Sequence, residues 1–269
     1  MEFVNISSYR FVELTDLPAK RVAFKNKALE LGLKGSILLS LEGINLFLAG
    51  SESAINEYLE FLGRYPGLEN LEPKRSYSKD QPFRRMLVKI KKEIISMGRP
   101  EVVPSRMTGK RVTPLELKSW YDQKKPMVIV DTRNDYEINL GTFVNAVDMG
   151  LKTFRQFPEK LEQMKGDLKD KTVVMFCTGG IRCEKATALA QQYGIEDVYQ
   201  LEGGILKYFE EVGSAHYKGE CFVFDQRVSL DPELKPTDMK QCYACRAVLT
   251  PQDQRSEKYK YAVSCPHCA

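Results

Sequence analysis

Cys177 follows the apolar run Thr172-Val-Val-Met-Phe176 and precedes Thr178-Gly179-Gly180-Ile181-Arg182-Cys183. That order reads as a buried strand, a six-residue loop from Cys177 to Arg182, and a helix over 184–193 closed by Gly194. The two glycines let the backbone curl so that successive N–H groups converge on the sulfur. The helix start adds partial positive charge and Arg182 adds a full one, and each favours thiolate over thiol. Such a sulfur can attack, accept a sulfur atom or grip an oxyanion. A small apolar side chain finishing a core strand is the usual role of a lone cysteine, but that role explains neither the diglycine nor the arginine. Cys183 has two readings: a thiol that resolves an oxidised Cys177 as a disulfide, or a residue packed against the sheet.

A second cluster lies at the far end. Cys242-x-x-Cys245 and Cys265-x-x-Cys268, with nineteen residues between them, have the spacing of a four-cysteine zinc site. All four positions are filled by protein, which points to a structural metal rather than a catalytic one. His267, between two of these cysteines, could replace one of them; Cys221 reads as structural. The only histidines are His216 and His267. A three-histidine metal site is therefore excluded, and a Ser-His or Cys-His enzyme has almost nowhere to place its base. All seven cysteines fall after residue 176, which is no disulfide framework and suits a reducing cytoplasm. Met1 to Leu14 carries Glu2 and Glu13 and lacks the order of a secretory signal. The most apolar stretch, Gly35 to Gly50, is broken by Glu42 and Asn45, so no membrane span is expected.

At 269 residues the chain is long enough for two domains and an appendage, and 43% hydrophobic with 28% charged residues is the balance of a chain that folds. Residues 1–98 read as a ferredoxin-like βαββαβ domain. A strand over Phe3–Leu14 leads to a helix from Asp16 with Leu17, Val22, Phe24, Ala28, Leu29 and Leu31 near one face, closed by Gly32. Strands at Ser36–Leu41 and Ile44–Ala49 meet at a Glu42-Gly43 turn. Ser51 caps a helix facing Ile55, Tyr58, Leu59 and Leu62 inward, and Met86–Ile95 supplies the closing strand. Nothing there looks nucleophilic, so the domain is expected to bind or to scaffold. Residues 99–112, with Pro100, Pro104 and Gly109, read as a basic linker. Residues 113–214 open with a capping box, Thr113-Pro114-Leu115-Glu116. Short apolar strands at Met127–Val130, Thr172–Phe176 and Asp197–Leu201 then alternate with helices. That pattern is an α/β domain with a parallel sheet, and it puts Cys177 at the carboxyl end of a strand, where sites form. Residues 215–269, with four prolines after Cys221 and no long apolar period, form a Cys-rich tail that a metal would hold together.

Charge is concentrated in one stretch. The chain carries +4 overall, yet Lys74 to Arg111 holds twelve basic residues against three acidic ones. A polyanion such as RNA would use this strip, because cations near phosphates release condensed counterions; the other reading is a solvated face. Arg84, Arg85, Lys89 and Lys91 are the candidate contacts.

Cys177-x-x-Gly180-x-Arg182 at a strand-to-helix junction resembles the active-site loop of rhodanese-type sulfurtransferases. Asp131-Thr132-Arg133, Glu137 and Glu202-Gly203-Gly204-Ile205 fit the same fold, while Gly141-Thr-Phe-Val-Asn-Ala146 departs from the usual rhodanese segment. The longer string Cys177-Thr-Gly-Gly-Ile-Arg-Cys-Glu-Lys185, with Glu42-Gly-Ile-Asn45 and Gly141-Thr-Phe143, resembles the tRNA uridine hydroxylase family along the whole chain. The resemblance implies oxygen-dependent hydroxylation of the wobble uridine at carbon 5. It also implies molecular oxygen as co-substrate, tRNA rather than DNA or membrane as partner, and Cys177 as the essential thiol, a persulfide carrier. The sequence has no flavin or haem motif and no 2-His-1-carboxylate set. Two other readings stand beside it: plain sulfur transfer through a Cys177 persulfide, and a non-catalytic RNA-binding adaptor. Rhodanese-fold phosphatases need a longer Cys-to-Arg loop, so that activity is not expected.

Overall fold

In the computed structural model, which describes residues 2–269, β1 (Phe3–Phe11), α1 (Leu17–Glu30), β2 (Lys34–Ser40), β3 (Gly43–Gly50), α2 (Glu52–Leu62), β4 (Lys74–Ser78) and β5 (Met86–Ile90) form the first domain. The sheet order is β4-β1-β3-β2-β5. Its first four strands are antiparallel neighbours in the ferredoxin-like arrangement, and β5 adds to the edge parallel to β2. The helices cover one face, where Phe24, Ala28, Ile55 and Tyr58 meet Ile37, Leu39, Ile44 and Leu46. The Ser51 hydroxyl accepts the Ala54 N–H at 3.3 Å, the expected cap of α2.

The closing strand of the βαββαβ unit differs from expectation. It is Lys74–Ser78, not Met86–Ile95; the latter supplies a fifth strand that ends at Ile90. Hydrophobic alternation misses β4 because its buried residues are Ser76 and Ser78, satisfied by side chains rather than apolar packing. Asn5 Nδ2 donates to Ser78 Oγ at 3.0 Å, and Arg227 Nη1 to Ser76 Oγ at 2.7 Å. On α1, Val22 and Leu29 are exposed rather than core-facing, because the helix packs through the narrower stripe Leu17–Phe24–Ala28.

The second domain contains β6 (Lys110–Val112), α3 (Pro114–Asp122), β7 (Val128–Asp131), α4 (Asp135–Ile138), β8 (Gly141–Phe143), β9 (Val147–Asp148), α5 (Phe157–Leu168), β10 (Val173–Phe176), α6 (Ile181–Gln192), β11 (Val198–Leu201) and α7 (Gly204–Val212). Its sheet, β6-β11-β10-β7-β9, is parallel throughout. Successive residues of β10 serve two cores. Val173 and Met175 join Leu161, Ala186 and Leu189 on one face. Val174 and Phe176 join Leu117, Ile205 and Tyr208 on the other. A strand covered on both faces is apolar without alternation, which is why it reads so clearly in the sequence.

The expected linker, 99–112, is structured at its end. Lys110–Val112 pairs with β11, and Met97 and Val102, just before and within it, lie in the second domain's core. The tail's start also belongs to that domain: β12 (Tyr217–Gly219) pairs with β8, and Tyr217 and Cys221 are core residues. Burial pushes the Cys221 thiol up to about 12, which disfavours its thiolate. The remaining tail has the short strands β13 (Cys221–Phe222), β14 (Ser229–Leu230), β15 (Lys240–Gln241) and β16 (Val248–Leu249) and one helical turn, α8 (Pro251–Gln254). Near its end the buried apolar cluster is Cys242, Leu249 and Cys265, with Tyr259 against it. Among the described residues no helix is long and apolar enough to cross a membrane.

Candidate active site at the domain interface

Helix α6 begins at Ile181, three residues before the expected start, so the loop after Cys177 is shorter than predicted and Arg182 and Cys183 lie in the first helical turn. The cause is Gly180, which takes φ +99° and starts the helix directly. Its N–H donates to Cys177 Sγ at 3.1 Å. Burial alone would raise the Cys177 pKa; the Cys183 thiol, the Arg182 guanidinium and the N–H groups of Arg182 and Gly180 outweigh it and bring the thiol down to about 6. Cys183 is pushed the other way, well above its ordinary value, by burial and by the Cys177 sulfur. It stays a thiol, 3.7 Å from Thr132 Oγ1.

Arg182 sits differently from a free cation over the sulfur. Its Nη1 and Nη2 each donate to Glu137 at 2.7 Å, a bidentate pair buried on both sides. Burial would raise the Glu137 carboxyl, but Arg182 holds it below the ordinary range. Thr178 Oγ1 adds a bond to the same carboxylate at 3.3 Å. The pair ties the loop and α6 to α4.

The first domain covers this loop. Tyr9 on β1 donates to Glu184 Oε1 at 3.4 Å, and a β-carbon at Gly180 would lie 2.8 Å from its phenol oxygen. The stem of Lys74 on β4 runs 3.9 to 4.0 Å from where a β-carbon of Gly179 would sit. Cys177 is 1% exposed and faces a cavity of about 70 Å³ lined by Tyr9, Asn45, Lys74, Ile181, Phe224 and Arg227, among others. On the far side of Tyr9 and Lys74 a polar cleft of about 540 Å³ runs past Arg111, Glu184, Gln200 and Lys207. Sequence reading missed Tyr9, Lys74 and Arg227. Lys74 appeared only as one charge of the basic strip, and no local pattern marks the other two.

Two motifs recognised separately in the sequence meet here. Lys185 Nζ lies 2.8 Å from Glu42 Oε2 and 2.8 Å from Glu93 Oε2, so the Glu42–Asn45 turn is an interdomain contact. The candidate RNA contacts lie elsewhere. Arg84, Arg85, Lys89 and Lys91 are exposed at the β5 edge, and none lines the cavity, although the neighbouring Phe83 does. Arg84 is engaged with the tail, donating to Tyr243 Oη at 2.8 Å with its guanidinium over the ring.

The four tail cysteines converge, their sulfurs all within 4.8 Å of one another. Cys245 and Cys265 are 3.6 Å apart, and Cys265 and Cys268 3.7 Å. A tetrahedron with metal–sulfur bonds of about 2.3 Å has sulfur–sulfur edges of about 3.8 Å, so the cluster fits a metal. His267 is not part of it; its Nε2 lies 3.5 Å from Asp253.

Residues 3–94 match the family described as UPF0176 acylphosphatase like domain, and residues 113–211 match the rhodanese-like domain. A Cupriavidus necator protein named tRNA uridine(34) hydroxylase is 52% identical over 273 residues, covering 100% of this chain and 97% of its own. A Burkholderia vietnamiensis protein of the same name is 49% identical over 278 residues, covering 100% and 98%. A Ralstonia nicotianae protein, also so named, is 50% identical over 274 residues, covering 100% and 97%. With about half its residues shared over its full length, and with both domains matched, the chain belongs to the tRNA uridine(34) hydroxylase family.

Proposed function

We propose that this protein hydroxylates carbon 5 of the wobble uridine of tRNA, with molecular oxygen as co-substrate, and that Cys177 is the thiol on which the reaction depends. The observation that carries the assignment of Cys177 is its sulfur, brought down to about pKa 6 and accepting the Gly180 N–H at 3.1 Å in a cavity between the two domains. In this reading the loop keeps the sulfur ionised at neutral pH, and the Arg182–Glu137 pair fixes the loop. Tyr9 and Lys74 limit water around it. The exposed Arg84, Arg85, Lys89 and Lys91 hold tRNA phosphates while the enzyme works in the cytoplasm. The cavity at the sulfur is narrow, and the larger polar cleft beside it runs past the same Tyr9 and Lys74, so a base approaches Cys177 along the boundary between the two domains. Cys242, Cys245, Cys265 and Cys268 hold zinc, which supplies the folding free energy that the tail's few apolar contacts do not.

Nucleoside mass spectrometry of tRNA from a deletion strain tests this. Wild-type protein restores the hydroxylated wobble uridine, and Cys177→Ser, at equal protein level, does not. Modified uridine retained with the serine variant overturns the role of the thiol. The small cavity also favours a second reading, since it admits a single sulfur atom on Cys177 more readily than a base: sulfur transfer through a persulfide. Conversion of thiosulfate and cyanide to thiocyanate, lost in Cys177→Ser, is its test.

A further inference from the structure

Three of the charges around Cys177 are matched by opposite ones. Arg182 gives both of its donors to Glu137 at 2.7 Å, so the pair brings little net charge. Glu184 on α6 is met by Arg111 at 3.0 Å. Arg227, which borders the cavity, is held by Asp225 at 2.8 Å. Cys183 and Tyr9 stay protonated, both held so by burial first. Glu210 on α7, which borders both the cavity and the polar cleft, and Arg75, which donates to Asn56 Oδ1 at 2.8 Å, have no ion-pair partner among the described residues, and neither has Lys74. Among the described residues its ammonium has no carboxylate within ion-pair distance and no hydrogen-bond acceptor, although it lines both the thiol cavity and the polar cleft behind it.

Its position is fixed from both sides. Lys74 starts β4, paired with Ser7 of β1. Its stem rests beside Gly179, and its Nζ lies 5.4 Å from the centre of the Tyr9 ring. A β-carbon at 179 would meet that stem at ordinary van der Waals distance, so the first residue of the diglycine lies directly against a lysine from the other domain. Burial lowers the pKa of the ammonium; the Cys177 sulfur and, less so, Glu72 pull it back up, while Lys207 and Arg111 push it down. An ammonium without a carboxylate at ion-pair distance, facing a cavity that the thiol shares with Glu210 and with Asp225, the latter held by Arg227, is stabilised by ionisation of that thiol.

We propose that Lys74 is a positioning residue of the reaction centre: the cation by which the first domain holds Cys177 as a thiolate, so that the thiol is fully activated only while β4 is seated on the loop. This rests on Cys177 being the reactive thiol. No bond is made or broken; the thiol proton goes to solvent, and the sulfur's charge is met by the ammonium. The first domain thereby does more than dock tRNA: it supplies a counter-charge to the sulfur in addition to the paired Arg182.

The test is thiolate absorbance near 240 nm, titrated on the full chain and read as the difference from the matching Cys177→Ser protein, so that the other six cysteines cancel. Wild type is expected to titrate near pH 6. Lys74→Met keeps the stem packed on Gly179 and removes only the charge; its midpoint is expected to rise by about one pH unit, a tenfold loss of thiolate on the acid side. Lys74→Arg is expected to restore the wild-type midpoint to within a few tenths. Thermal unfolding checks that each variant folds, and Lys74→Gln gives the same reading should Lys74→Met not fold. A wild-type midpoint near 6 with Lys74→Met unmoved overturns this inference alone. A wild-type midpoint at about 8.5, that of free cysteine, overturns the reading of Cys177 and this inference with it.

Discussion

Lys185 on α6 and Glu42 in the turn between β2 and β3 face each other across the domain boundary at 2.8 Å. Lys185 is fully buried, and Glu93 meets the same ammonium at 2.8 Å. The two carboxylates have second duties: Glu42 accepts the Ile94 N–H at 2.7 Å, and Glu93 accepts the Met97 and Gly98 N–H groups. One cation thus ties the loop helix of the second domain to the segment by which the chain leaves the first.

Removing that cation strands two carboxylates at a buried interface, so Lys185→Met is expected to cost about 3–5 kcal/mol of stability, measured by urea unfolding. The acid dependence follows from Glu93. Burial raises its carboxyl, but Lys185 and the Met97 and Gly98 N–H groups outweigh this and hold it below the ordinary 4.5. A depressed carboxyl stabilises fully above its unfolded value and loses that contribution as pH falls through the folded one. Stability of the wild type should therefore decline in acid below pH 4.5, and Glu93→Gln should flatten that decline.

The two loop glycines should differ sharply on substitution. At Gly180 a methyl would lie 2.8 Å from the Tyr9 phenol oxygen, with the backbone at φ +99°. Gly180→Ala is expected to move the N–H off the sulfur, raise the Cys177 midpoint and lower the thermal unfolding temperature, with left-handed strain alone costing about 1–2 kcal/mol. Tyr9→Phe in the same chain should recover part of both. At Gly179 the nearest atoms are 3.9 Å away, so Gly179→Ala should leave the titration close to wild type.

Salt dependence tests the basic edge. Glutamate at Arg85, Lys89 and Lys91 should weaken tRNA binding and flatten the slope of log affinity against log salt by about 0.7–0.9 for each phosphate no longer neutralised. Arg84 is left in place because it holds Tyr243. An unchanged slope, by filter binding or fluorescence anisotropy, takes this edge out of the tRNA site.

Metal analysis of the purified protein should find about one zinc per chain. Chelation should make the region from Lys240 onward sensitive to protease while both sheets keep their thermal transition, because the tail cluster around Leu249 is separate from the domain cores. Cys242→Ser with Cys245→Ser should behave like the chelated protein. An ordered, protease-resistant tail without metal is the contrary result.

Much of this was legible because it is encoded over short distances. Val173–Phe176 announces a strand buried on both faces, the diglycine after Cys177 a curled backbone, and the paired cysteines a cluster that could hold a metal. Each depends on neighbours only a few residues apart. Strand β4 was not legible, because its inward face is serine and its stability comes from Asn5 and Arg227, 73 and 151 residues away.

The amino-acid order by itself determined the candidate thiol, the turn that curls around it and the carboxyl end of the strand on which it stands. Only the tertiary structure decided which charges reach the sulfur. Glu137 takes up the arginine that the motif supplies, and a strand from the other domain brings Lys74, a lysine that local spacing could read only as part of a basic surface. Electrostatics at a buried atom depends on distance through space, and packing brings such groups together without regard to their separation along the chain.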